Sequence, residues 1–119
     1  MSVVADNGRD ATEGLAMTVN LRNETARHDF VAEQLRRLKA PQPDIEGVRR
    51  SLQEAVESVT SLRLADSERA ALRGYLGHVI RQHGRSEIDD ETVLRRFGKL
   101  LMAAAANSPD MLNLISVEA

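Results

Sequence analysis

Cysteine is absent from this sequence of 119 residues. A disulfide scaffold, a zinc site built on thiolates and a cysteine nucleophile are therefore excluded. Serine-nucleophile motifs, glycine-rich phosphate loops and paired catalytic carboxylates are also missing from the sequence pattern. We therefore predict a protein without a cofactor or a metal site.

Aromatic residues are scarce: they make up 3% of the chain, as Phe30, Tyr75 and Phe97. Hydrophobic residues nevertheless account for 42%, which is enough for one core built from aliphatic side chains. That composition suits close helix packing better than a β-sandwich.

Long apolar runs are missing as well. The longest, Leu100 to Ala106, is far shorter than the roughly 20 residues that cross a bilayer. The first residues also lack a basic segment followed by an apolar one, so we expect a cytoplasmic protein with no membrane span. Of the 16 basic residues only Lys39 and Lys99 are lysine, a bias associated with GC-rich genomes and hence with a bacterial source.

The charge balance bears on the class of partner. The formal net charge is -2 and the sequence pI is about 5.9, whereas nucleic-acid binders usually carry a basic field. We therefore expect a protein partner or a homo-oligomer rather than a nucleic acid.

Apolar residues recur at helical spacing in four segments, 23–39, 44–62, 66–84 and 89–107. A further apolar stretch at 110–119 suggests a short fifth helix, and the alternation between Leu15 and Leu21 suggests a short β arm or a frayed terminus. Gly84 is expected to end the third helix in a left-handed conformation. The predicted core comprises Phe30, Leu35, Leu52, Val59, Leu72, Leu76, Ile80, Leu94, Phe97 and Leu101.

The predicted fold is all-α, a bundle of four main amphipathic helices with a possible short N-terminal β arm and a short C-terminal helix. We divide the chain into an N-terminal arm (1–22), the helical bundle (23–107) and a C-terminal segment (108–119). That last segment either packs on the bundle or leads into a region beyond this sequence.

The second predicted helix carries apolar residues at alternating spacings of three and four, which is a heptad pattern. We call these residues the heptad seam: Ile45, Val48, Leu52, Ala55, Val59 and Leu62. A narrow seam suits pairing with one further helix, from a second copy or from a partner protein. The alternative is that the seam packs on the first and third helices of its own chain.

The third predicted helix contains two glycines at helical spacing, Gly74 and Gly77. Interior glycine costs about 1 kcal/mol relative to alanine, so we expect both to face a closely packed neighbouring helix. On the same helix, His78 and His83 are five positions apart and cannot form a two-histidine metal face. The acidic residues at Glu87 and 89–91 are explained by their position at a helix N-terminus.

The stretch from Arg73 to His78, RGYLGH, resembles the arginine-histidine motif of the HEPN-type helical ribonucleases. The stretch from Arg22 to His28 matches the same loose spacing. The resemblance implies RNA cleavage or RNA binding by a toxin or antitoxin type of protein, with Arg73 and His78 acting across a dimer. The sequence departs from the family pattern at Gly74, where a polar residue usually follows the arginine.

The function expected from these observations is a non-enzymatic helical interaction module: a regulatory, adaptor or assembly domain, dimeric or part of a larger protein. The HEPN-like RNA-cleaving or RNA-binding protein is one alternative. A second alternative is an accessory domain of a membrane-acting effector whose membrane segment lies beyond Ala119.

Overall fold

The computed structural model describes residues 21–117 of the chain, and in this range it contains helices and no strands. The helices are α1 (Glu24–Leu38), α2 (Ile45–Val59), α3 (Asp66–Gly84), α4 (Asp90–Ala105) and α5 (Asp110–Val117). The predicted all-α class is confirmed for these residues. The predicted β arm falls almost wholly outside the described residues, and the three-part division of the chain stays a prediction.

Side chains just before three of the helices fix where those helices begin. Asn23 accepts a hydrogen bond from the backbone N–H of Ala26, Asp44 from that of Gly47, and Asp89 from that of Thr92. Each bond satisfies a donor that the first turn would otherwise leave unpaired. In α3 the residue before the helix is alanine, so only the reverse bond forms, from the N–H of Ala65 to Glu68.

Two helices end in the same left-handed turn. Ser86 (φ 60°) follows α3 and Asn107 (φ 54°) follows α4. The N–H of Glu87 donates to the carbonyl of Gln82 at 2.8 Å, and Ser86 donates to His83, which together form a Schellman motif. The prediction that Gly84 is the left-handed residue is therefore wrong: Gly84 is the last helical residue, and the turn is displaced to a serine.

Helix α4 occupies the centre of the arrangement and contacts each of the other four helices. It runs antiparallel to α1, because Lys39 at the end of α1 lies 2.7 Å from Asp90 at the start of α4. Helix α5 folds back onto α3 and α4 and buries Met111 and Ile115. Of the ten predicted core residues all are buried except Phe30 and Leu94, which are half-buried against the core.

The heptad seam belongs mainly to the chain's own core. Val48, Leu52, Ala55 and Val59 are buried, while Ile45 is 43% exposed and Leu62 is half-buried. The alternative interpretation, packing on neighbouring helices, accounts for the four buried positions. The predicted extension of this helix to Leu62 is wrong, because α2 ends at Val59.

The residues that follow α2 are hydrogen-bonded to a residue far along the chain. The Asn107 side chain accepts hydrogen bonds from the hydroxyl of Thr60 and from the backbone N–H of Ser61, across 46 residues in the second case. Thr60 is extended (φ -88°, ψ 144°), and its hydroxyl accepts from the N–H of Leu62. These bonds satisfy local backbone groups that a further helical turn would otherwise have used.

The expectation for the two α3 glycines is also wrong. Apart from its chain neighbours and the nearby backbone of its own helix, a Cβ atom built on Gly74 would meet no heavy atom within 4 Å, and one on Gly77 would meet only the Arg81 guanidinium at 3.3 Å. Neither position is explained by a closely approaching helix.

In the described part of the chain, none of the helices combines the length and apolar character required to cross a membrane.

Candidate docking groove

A half-open groove of about 750 Å³ lies where α4 meets α3 and α5. Three cationic side chains of α4 line one part of it: Arg95, Arg96 and Lys99. Met102 of α4 and Ala106, the residue directly after α4, line another part, together with Leu114 of α5. The buried Tyr75 of α3 also lines it. We call this feature the docking groove.

The sequence of α4 builds the groove on the side that faces away from the core. The buried positions Val93, Phe97 and Leu100 follow one helical stripe. Arg95, Lys99, Met102 and Ala106 follow a second stripe at spacings of four, three and four. Residues this far apart lie on one face of a helix, so the second stripe is as continuous as the first.

The cations of the docking groove are only partly neutralised. Arg96 donates to the side-chain oxygen of Gln82 at 2.9 Å, a neutral partner. Within residues 21–117, neither Arg95 nor Lys99 forms an ion pair. One carboxylate, that of Asp110, also lines the groove. The groove therefore carries an excess of positive charge on a chain whose formal net charge is -2.

The apolar part of the groove includes an exposed methionine. Met102 is 53% exposed, and among the described residues only it and Ile45 are large hydrophobic side chains with this degree of exposure. Methionine is flexible and polarisable and is common on surfaces that bind proteins. The chain from Met102 to Ala106 contains no charged residue, so one full turn of α4 is uncharged on every side.

The residues of the ribonuclease resemblance lie elsewhere on α3. Arg73 is exposed and His78 is half-buried. Five positions along a helix correspond to a rotation of about 140°, so α3 does not present the two side chains on one face. The field of Arg73 is the weakest of several causes that lower the pKa of Glu46 on α2, the strongest being the hydrogen bond from Arg49. RNA cleavage by this pair stays a prediction.

The acidic residues at the start of α4 have a structural role. Asp89 caps the helix, and hydrogen bonds from the Thr92 hydroxyl and backbone lower its pKa. Asp90 lies between Lys39 Nζ (2.7 Å) and His83 Nε2 (2.8 Å), and these two partners lower its pKa. No group of three or more metal-ligating side chains occurs in the described range.

Comparisons of the chain with protein-family models, with curated proteins and with solved structures found no match.

The docking groove was not among the predicted sites. Two signals in the sequence point to it: the spacing of Arg95, Lys99 and Met102 on the polar side of the helix, and the uncharged turn that follows. Both are visible in the sequence, but neither shows that α5 folds back to form a second wall.

Proposed function

We propose that this chain is a non-enzymatic interaction module of the bacterial cytoplasm, a bundle of four main helices that binds a partner through the docking groove. It would act as a regulatory, adaptor or assembly domain. The observation that carries this proposal is the combination, on one face of α4, of an exposed apolar turn with two cations, Arg95 and Lys99, that form no ion pair with a described residue.

Surface apolar groups are common singly, so Met102 alone would mean little. Here it shares a concave surface with Ala106 and Leu114, and concave apolar surfaces with a few polar groups are the usual form of binding sites. The heptad seam does not offer such an accessible apolar surface, since its buried positions are already in contact with their own chain.

Site-specific cross-linking tests the proposal. A photoreactive amino acid replaces Met102 in the complete chain expressed in its native host, and a matched variant carries it at Glu54, an exposed position of α2 outside the groove. We expect one discrete protein adduct from position 102 and none from position 54. The partner identified by mass spectrometry is then purified and must bind the unmodified chain directly.

Equal labelling from both positions, or no adduct from position 102, would contradict the proposal. A purified partner that binds wild type and Met102→Glu equally well would also contradict it. Circular dichroism of each variant establishes that the fold is retained, which is expected because about half of Met102 is exposed.

A further inference from the structure

We propose that the occupant of the docking groove is an acidic amphipathic segment of a partner protein. Its carboxylates would lie against Arg95 and Lys99, and its apolar side chains against Met102 and Leu114. This inference rests on the proposed function and adds the chemistry of the partner.

The arrangement along α4 sets the length of the occupant. Between Arg95 and Ala106 the helix advances by about 16 Å, the length of about three turns. The cations occupy the first half of this distance and the uncharged residues the second half. A partner helix of similar length, lying in the groove with charge at one end and apolar side chains at the other, would match both halves.

The cations of the docking groove determine which sign of charge the partner segment carries. Lys99 and Arg95 are exposed, and neither forms an ion pair with a described residue, so a carboxylate can reach them without breaking such a pair. Arg95 lies closer to the acids at the start of α4, and its charge helps to lower the pKa of Asp89. Asp110 lines the groove as well and starts α5, close in sequence to the apolar end at Ala106. A carboxylate placed at that end would be repelled by Asp110, and one placed beyond Arg95 would be repelled by Asp89 and Glu91. Acids of the partner are therefore favoured between Arg95 and Lys99, and apolar groups at Met102 and beyond.

A nucleic acid fits the surroundings less well. The acidic residues Glu87, Asp89 and Glu91 lie just beyond Arg95, so a phosphate backbone extending past the groove would meet like charge. Single strands also bind by stacking on exposed aromatic rings. In the described chain Tyr75 and Phe97 are buried and Phe30 is half-buried, so no phenylalanine or tyrosine ring is exposed in the groove.

The test uses three synthetic helical peptides of equal length with a fluorescent label. The first carries glutamates at one end of a leucine face, the second has lysines in place of the glutamates, and the third has serines in place of the leucines. We expect the purified chain to bind only the first, as measured by fluorescence anisotropy, and to bind it more weakly at high ionic strength.

Charge reversal in the groove supplies the matched comparison. The double variant Arg95→Glu with Lys99→Glu should lose at least roughly tenfold in affinity for the acidic peptide, the effect of losing one charge-assisted hydrogen bond, and should gain affinity for the lysine peptide. Arg50→Glu makes the same kind of charge change on an exposed part of α2, outside the groove, and should leave binding unchanged.

Four results would overturn the inference: equal binding of the acidic and lysine peptides, no binding of any peptide, tighter binding of a single-stranded oligonucleotide, or self-association that Met102→Glu abolishes. The last would identify a second copy as the occupant. If cross-linking at position 102 finds a partner while no acidic peptide binds, only the partner's chemistry is wrong and the proposed function stands.

Discussion

Two residues in the described chain share the left-handed conformation but differ in what their side chains do. Ser86 ends α3, and its hydroxyl forms no hydrogen bond with another described residue. Asn107 ends α4, and its side chain also accepts bonds from Thr60 and Ser61. Left-handed geometry costs an L-residue about 1–2 kcal/mol, and asparagine tolerates it better than serine.

Replacing Ser86 with glycine should therefore stabilise the protein by about 1 kcal/mol, because glycine removes the steric cost and no side-chain contact is lost. Urea denaturation followed by circular dichroism measures the change in the free energy of unfolding.

Asn107→Gly is the matched control in the same backbone conformation. It should lower stability by up to about 1 kcal/mol, because the N–H of Ser61 and the hydroxyl of Thr60 lose their acceptor and this loss exceeds the smaller steric gain at an asparagine. Equal shifts for the two variants would show that the Asn107 side chain contributes nothing across the chain.

At the scale of the helices, local chemistry determines the beginnings better than the ends. The caps at Asn23, Asp44 and Asp89 act over three residues, so the sequence identifies them directly. After α2 the chain is held locally, by the Thr60 hydroxyl that accepts from the N–H of Leu62, and also by Asn107, 46 residues away from Ser61, a contact that no local pattern contains. The heptad spacing thus predicts a helix to Leu62, whereas the helix ends at Val59.

Helix α3 carries a glycine that no contact requires. Gly74→Ala should stabilise the protein by about 0.5–1 kcal/mol, since a methyl group there meets open space and alanine loses less backbone entropy on folding. Thermal or urea unfolding measures the gain. Gly77→Ala should give a smaller one, because the Arg81 guanidinium must move to make room. A loss of stability at Gly74 would mean that another group occupies this space.

At the scale of the whole molecule, the core was predictable and the groove was not. Burial follows from helical periodicity, which assigns Leu72, Leu76 and Ile80 to one face without knowledge of their neighbours. The groove exists only because α5 folds back against α3 and α4. The placement of α5 depends on the turn at Asn107 and on the burial of Met111 and Ile115. The spacing of apolar residues in the sequence does not show the direction in which that turn sends the chain.

The ion network around Asp90 joins three helices and should make stability depend on pH. Hydrogen bonds from Lys39 and His83 hold the pKa of Asp90 below its ordinary value. Its stabilising contribution is therefore complete above the pKa of the unfolded chain and is lost as pH falls through the lower, folded pKa. Asp90→Asn should unfold more easily than wild type at neutral pH, and the difference should vanish in strong acid.

Lys39→Met removes the strongest cause of the lowered pKa of Asp90. Like Asp90→Asn, it should therefore make the free energy of unfolding depend less on pH in the acid range. Asp89 and Glu46 also have lowered pKa values, so wild type keeps part of its acid dependence in both variants. If the difference between wild type and Asp90→Asn is the same at every pH, the network does not contribute through ionisation.

Because lysine is scarce in this chain, the docking groove contains one of its few reactive side-chain amines. Only two lysines occur in the chain, and the amino group of Lys39 is paired with Asp90. Lys99 is exposed in the groove and has no ion-pair partner within the described range, so its amine is the more open of the two side-chain amines to acylating reagents. A modification that removes the charge of Lys99 would thus directly change the surface that we propose binds the partner.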